Sequence, residues 1–128
     1  MKLRIKGDSI RLRLTQSELQ RFAEHGQVEE RTRFGGGVEL VYRLKRGAAA
    51  PGLAADFSRS ELEVRVPPGM AREWCETDLV TLTGSQKVSA DGELKITVEK
   101  DFACLTPREG EDESDNFPHP EAARGGKC

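Results

Sequence analysis

Residues 9–14, SIRLRL, put Ile10, Leu12 and Leu14 on one side of an extended chain and Arg11 and Arg13 on the other. That period of two belongs to a half-buried strand. The next stretch, TQSELQRFAEHG, changes period. Thr15 is placed to cap a helix, Glu18 three residues on completes a capping box, Leu19, Phe22 and Ala23 share a face, and Gly26 supplies the stop. VEERTRF and VELVYRL follow as alternating runs joined by GGG, which permits the positive φ of a tight hairpin. Roughly fifty residues later the order returns: LAADFS corresponds to KLRIKG, ELEVRV to SIRLRL, PPGMAREWCET to the helix, LVTLTGS to VEERTRF and ELKITVEKD to VELVYRLKR, with a longer second hairpin loop, QKVSADG. A four-stranded unit with one helix cannot cover its own apolar face, and a second copy can. The sequence therefore predicts an α+β fold. A single antiparallel, β-rich domain over residues 1–103 is expected, built from two pseudo-repeated ββαββ units (1–47 and 52–101). Their sheets pack together or close like a barrel, with a short helix from each unit covering an open end. Residues 104–128, rich in Pro, Gly and acids, are expected to form an irregular acidic tail.

A chain of 128 residues, 36% hydrophobic and 33% charged, suits one modest core. No apolar run approaches the roughly 20 residues of a membrane span. The opening MKLRIKGDS alternates charge with apolar residues and lacks the apolar centre of a secretory signal. A cytoplasmic location is therefore expected, with Cys75, Cys104 and Cys128 as free thiols. The net charge of −2 conceals an asymmetry: residues 1–47 carry 11 Lys or Arg against 6 Asp or Glu, and residues 48–128 carry 9 against 16. The halves, at +5 and −7, should attract each other or different partners.

KLRIKGDSIRLRLTQSE at the start, REWCETD in the second half, and VEKDFACL followed by EDESDNFPHP resemble a small bacterial family of uncharacterised proteins of this length. That resemblance implies no activity. The strand content and cations also resemble, more weakly, the CYTH-type triphosphate tunnel enzymes, which hold polyphosphate with basic side chains. The opening signature of that family alternates Glu, Glu and Lys; here KLRIKG has no carboxylate to hold a metal.

Two constellations are candidates for function. If Leu3, Ile5, Ile10, Leu12, Leu14, Val38, Leu40, Tyr42 and Leu44 face the core, alternation turns Arg4, Lys6, Arg11, Arg13, Arg31, Arg33, Arg43 and Lys45 to the opposite face. Clustered cations of this kind suit an anionic ligand. No outward aromatic is interleaved to stack bases, which argues against nucleic acid. The competing structural explanation is cross-strand pairing of these cations with Glu29 and Glu39. In the tail, Cys104, Asp112, Asp115 and His119 are competent ligands for zinc or another divalent metal, although their spacing matches no established zinc pattern. The alternative is a solvated acidic run. His25 beside Gly26 fits the C-terminal end of a helix dipole, and Cys75, Trp74 and Met70 fit a core stripe. The expected role is a non-enzymatic binding or assembly module, with the basic face covered by the acidic tail and open to an anionic ligand or a protein partner. The alternative is a metal-dependent enzyme using Cys104, His119 and the tail carboxylates.

Overall fold

A computed structural model describes residues 1–47, 51–102 and 114–118. Its elements follow the expected order: β1 (Lys2–Ile5), β2 (Ser9–Leu14), α1 (Gln16–His25), β3 (Gln27–Gly35), β4 (Val38–Arg46), β5 (Ala54–Ser58), β6 (Glu61–Val66), α2 (Pro68–Glu76), β7 (Thr81–Ser89) and β8 (Gly92–Lys100). The α+β class and the two similar ββαββ units are thus present.

The units do not form one sheet each. They exchange hairpins, so that sheet A runs β1-β2-β8-β7 and sheet B runs β3-β4-β6-β5. Every sequential pair is antiparallel, but the pairs that join the units, β2 with β8 and β4 with β6, are parallel. Each helix is the crossover that carries the chain from one sheet to the other, which frees its two hairpins to pair with those of the other unit. Two open sheets result, not a closed barrel.

The duplication extends to single hydrogen bonds. Arg46 N–H donates to Gly26 O at 2.8 Å and Lys100 N–H to Val80 O at 3.1 Å; Gly47 N–H donates to Val66 O at 3.0 Å and Asp101 N–H to Leu14 O at 2.8 Å. Irregularities in register fall at matching places, between Arg33 and Gly35 and between Lys87 and Ser89. The hairpin loops are also equal. Gly35 pairs with Val38 and Ser89 with Gly92, so QKVS belongs to β7 and the expected longer loop is absent. Gly84 and the inward-facing Gln86 interrupt the apolar alternation that would have revealed this strand. A Cβ on Gly84 would lie 2.9 Å from Leu53 Cβ, so glycine is required where β5 begins against β7. The Gln86 amide is satisfied by the Ala55 backbone, donating to its O at 2.7 Å and accepting from its N–H at 2.8 Å.

Helix α1 forms as its sequence predicts. Glu18 Oε1 accepts from Thr15 N–H at 2.9 Å, the reciprocal bond to Thr15 Oγ1 is present, and Gly26 ends the helix at φ 78°. Helix α2 has no side-chain cap and begins with Pro68 at its first turn. The two helices cover one end together, not an end each. The parallel pairs put all four hairpin turns at the opposite end, and Phe22 meets Trp74 edge to face, with centroids 6.0 Å apart, between the helices. Below them lies the core, with Leu12, Leu14, Leu44, Val64, Val66, Ile96 and Val98 all fully buried.

Candidate anion-binding site

Strand pairing fixes which side chains share the outer face of sheet A. Arg4 stands opposite Arg11, which neighbours Thr97 and then Thr83; Lys2 stands opposite Arg13, followed by Glu99 and Thr81; Ser9 neighbours Lys95 and Ser85. A depression of about 280 Å³ on this face is lined by Arg4, Lys6, Ser9, Ile10, Arg11, Lys95 and Thr97. Among the described residues it gathers four cations and two hydroxyls without a carboxylate. Like charges directly opposite each other destabilise a strand pair, so the Arg4–Arg11 rung is unfavourable when nothing bridges it. Relief is partial. Glu99 takes Arg13 at 2.8 Å and Arg11 at only 3.6 Å, and Lys2 reaches Asp101 at 3.0 Å. Among the described residues Arg4, Lys6 and Lys95 have no ion pair.

Sheet B is built differently, so the eight expected cations do not share a face. Arg31, Arg33, Arg43 and Lys45 lie on β3 and β4, in the other sheet from Arg4, Lys6, Arg11 and Arg13. Arg31 pairs with Glu39 at 2.6 Å and Glu29 at 3.4 Å, and Arg43 with Glu61 at 2.8 Å, Glu63 at 3.4 Å and Glu29. Arg65 completes the lattice with Glu63 and Asp56. Hydrogen bonds from Arg43 hold the Glu29 carboxyl below the usual carboxylate range, and those to Glu61 and Glu29 raise the Arg43 guanidinium further. The cross-strand explanation therefore holds for Arg31 and Arg43. Arg33 and Lys45 stand at opposite ends of the β3–β4 pair. Lys95, which completes the depression on sheet A, comes from the second unit; without the hairpin exchange nothing in the sequence puts it beside Arg11.

The described part of the tail docks at the start of α1. Gln16 N–H donates to Asp115 O at 2.9 Å, Ser17 N–H and Oγ both donate to the Asp115 carboxylate, and Gln16 Nε2 donates to Asn116 O at 3.0 Å. Phe117 follows, its N–H bonded to Asp101 O at 2.8 Å and its ring 5.8 Å from that of Phe102, with Lys100 Nζ 5.7 Å from its centroid. Hydrogen bonds from Ser17 hold the Asp115 carboxyl below the usual range, at a helix N-terminus that favours negative charge. Asp115 is thus engaged by the helix, and not by an arginine of the basic face. Of the four expected metal ligands it alone is described; Cys104, Asp112 and His119 lie outside the described residues. Among the described residues no three of His, Cys, Asp and Glu gather as metal ligands would. Cys75 is half-buried, and burial pushes its thiol up, away from a reactive thiolate.

A second feature was hidden in the expected core face. Leu3, Ile5, Ile10, Leu40, Ala55, Asp56, Phe57, Leu62, Gln86 and Leu94 line an apolar cleft of about 440 Å³ between the sheets, at the end the helices leave open. Ile5 and Val38 lie on the inner faces as expected, yet they are 61% and 58% exposed. Alternation identifies an inward side chain but says nothing about where the covering layer stops.

No helix among the described residues is long and apolar enough to cross a membrane. No curated protein and no solved structure shows significant similarity to the chain. A family model matches residues 1–121, nearly the whole length, so the chain belongs to DUF7009, a family of unknown function.

Proposed function

We propose that this protein is a non-enzymatic binding module that holds a phosphate-bearing ligand in the depression on the outer face of sheet A. The observation that carries this reading is the Arg4–Arg11 rung flanked by Lys6 and Lys95, an arrangement that costs stability when empty and is relieved by an oxyanion. Ser9 and Thr97 add hydroxyl donors. Binding is favoured over turnover because the described side chains lining the depression are cations, hydroxyls and one isoleucine, with no carboxylate or imidazole base among the described residues there. Among the described residues no aromatic lines it either, so nucleic-acid bases find no stacking platform there, and a compact phosphorylated small molecule fits better. Calorimetric titration with inorganic tripolyphosphate tests the reading. Saturable binding that weakens with salt is expected, lost in Arg11→Gln and retained in Arg31→Gln; equal binding by the two variants refutes it.

A further inference from the structure

We propose that the open end of the sandwich is a self-association surface, on which a second copy of this chain docks end to end. Among the described residues the five large apolar side chains left exposed are Ile5, Phe34, Val38, Phe57 and Val88, between 55% and 68% exposed. All five belong to this one end. Ile5, Val38 and Phe57 lie on the inner faces near the hairpin turns, and Phe34 and Val88 occupy the matching bulges of β3 and β7. An apolar concentration of this kind marks an interaction surface.

The cleft between them suits an apolar occupant. Its two polar lining side chains are spoken for, Gln86 by the Ala55 backbone and Asp56 by Arg65. No free polar group inside orients a polar small molecule, whereas the aromatic tips of another copy have a complementary apolar seat.

Charge selects the orientation. The turns of sheet A, residues 6–8 and 90–91, carry Lys6, Asp8 and Asp91, a net charge of −1. The turns of sheet B, residues 36–37 and 59–60, carry Arg59 alone, and next to them Arg33 has no ion pair among the described residues, since Glu39 is engaged by Arg31. Arg59 and Ser60 hold the turn at φ 52° and 62°, a left-handed conformation unfavourable for residues other than glycine, so Arg59 is fixed at the tip. Edge strand β7 lies against β5, and Met1, which leads into β1, is bonded to Glu30 of β3 and accepts from Tyr42 of β4. A twofold axis running across the strands, midway between the sheets, therefore sets the β7–β8 turn of one copy over the β5–β6 turn of the other. It brings Asp91 to Arg59 and Asp8 to Arg33. A stable dimer needs about 800 Å² from each partner, roughly a tenth of the 8288 Å² surface of this chain. This inference does not depend on the anion site.

Sedimentation equilibrium of the full chain from about 1 to 300 μM should show a monomer–dimer equilibrium. Phe57→Glu should give a monomer, and Arg59→Glu should weaken the dimer by about tenfold or more. Both residues are exposed, and circular dichroism confirms that the variants are folded. Adding Asp91→Arg to Arg59→Glu should restore the dimer by exchanging the pair. A monomer throughout the range, a dimer indifferent to Phe57→Glu, or a swap that fails to restore association overturns the proposal. So does a monomer that binds 1-anilinonaphthalene-8-sulfonate one to one, which would assign the cleft to a small apolar molecule.

Discussion

Replacing Arg4 by threonine should make the ligand-free protein more stable and a worse anion binder at once. Arg4 faces Arg11 across β1 and β2, and it has no ion pair among the described residues. Direct cross-strand pairs contribute about 0.2–1 kcal/mol, with like charges on the unfavourable side. Because Arg11 is partly neutralised by Glu99 at 3.6 Å and Arg4 is exposed, the lower part of that range applies, about 0.3–0.5 kcal/mol. Threonine is β-branched and suits the edge strand. With an unfolding entropy of about 2.1 cal/mol/K per residue, 128 residues give about 270 cal/mol/K, so Tm should rise by about 1–2 °C. The gain should vanish near 1 M salt, where the Debye length falls to about 3 Å. Removing one charge-assisted hydrogen bond to an oxyanion should weaken tripolyphosphate binding by about 1.5–3 kcal/mol, or roughly 10- to 150-fold. Scanning calorimetry at low and high salt, together with titration calorimetry, reads both effects. A lower Tm with unchanged binding would refute the reasoning, because Arg4 would then be a structural cation with a partner.

Leu12→Ala and Val64→Ala remove fully buried side chains at equivalent positions of the two units, so urea denaturation should show losses of about 2–4 kcal/mol for each. A loss below about 0.5 kcal/mol at either would place that residue outside the core. Burial pushes the Glu18 carboxyl up, but hydrogen bonds from the Met1 ammonium and Thr15 outweigh it and hold the group below its ordinary value. Its stabilising contribution is therefore complete above the unfolded value of about 4.3 and is lost as the pH falls through the lower folded value. Tm followed from pH 6 to 2.5 should decline less steeply in Glu18→Gln than in the parent, and parallel curves would contradict the assignment. Phe117→Ala should cost about 1–2 kcal/mol, since the ring is only half-buried, and should speed proteolysis after residue 102. Unchanged cleavage would show that the ring does not hold the segment.

The elements were legible because each rests on local chemistry. Alternation marks β2 and β6, the Thr15–Glu18 box and Gly26 bound α1, and the three glycines before Val38 mark a hairpin. The pairing between units was not legible, since periodicity states which side of a strand is apolar and not which strand lies beside it. Hence the cations of β1 to β4 read as one face of eight, whereas the chain divides them four and four. Alternation places Leu12, Leu14 and Leu44 on the inner face, where they are buried, but Ile5 and Val38 on the same face lie beyond the part that the helices and the opposite sheet cover. Gln86 could not be assigned inward because its justification, the Ala55 backbone, is 31 residues away.

Hairpin exchange also explains what becomes of the opposed charges of the two halves. The acids of β5 and β6, Asp56, Glu61 and Glu63, are carried into sheet B beside Arg31 and Arg43, where with Glu29 and Glu39 they balance Arg31, Arg33, Arg43, Lys45 and Arg65, five against five. There the attraction between the halves is consumed within the fold. Sheet A receives β7 and β8 instead, half of whose outward residues are the hydroxyls Thr81, Thr83, Ser85 and Thr97, with Lys87 and Lys95 added to the cations and only Glu93 and Glu99 opposing them. Without the exchange, each unit would have paired its own hairpins, and the basic strands of the first unit would have formed a single sheet without the acids of the second. The exchange neutralises one of the two faces and leaves the other with a surplus of cations. The anion site therefore belongs to neither unit alone: Arg4 and Arg11 come from the first and Lys95 and Thr97 from the second, held in register by the parallel pairing of Arg11 with Thr97.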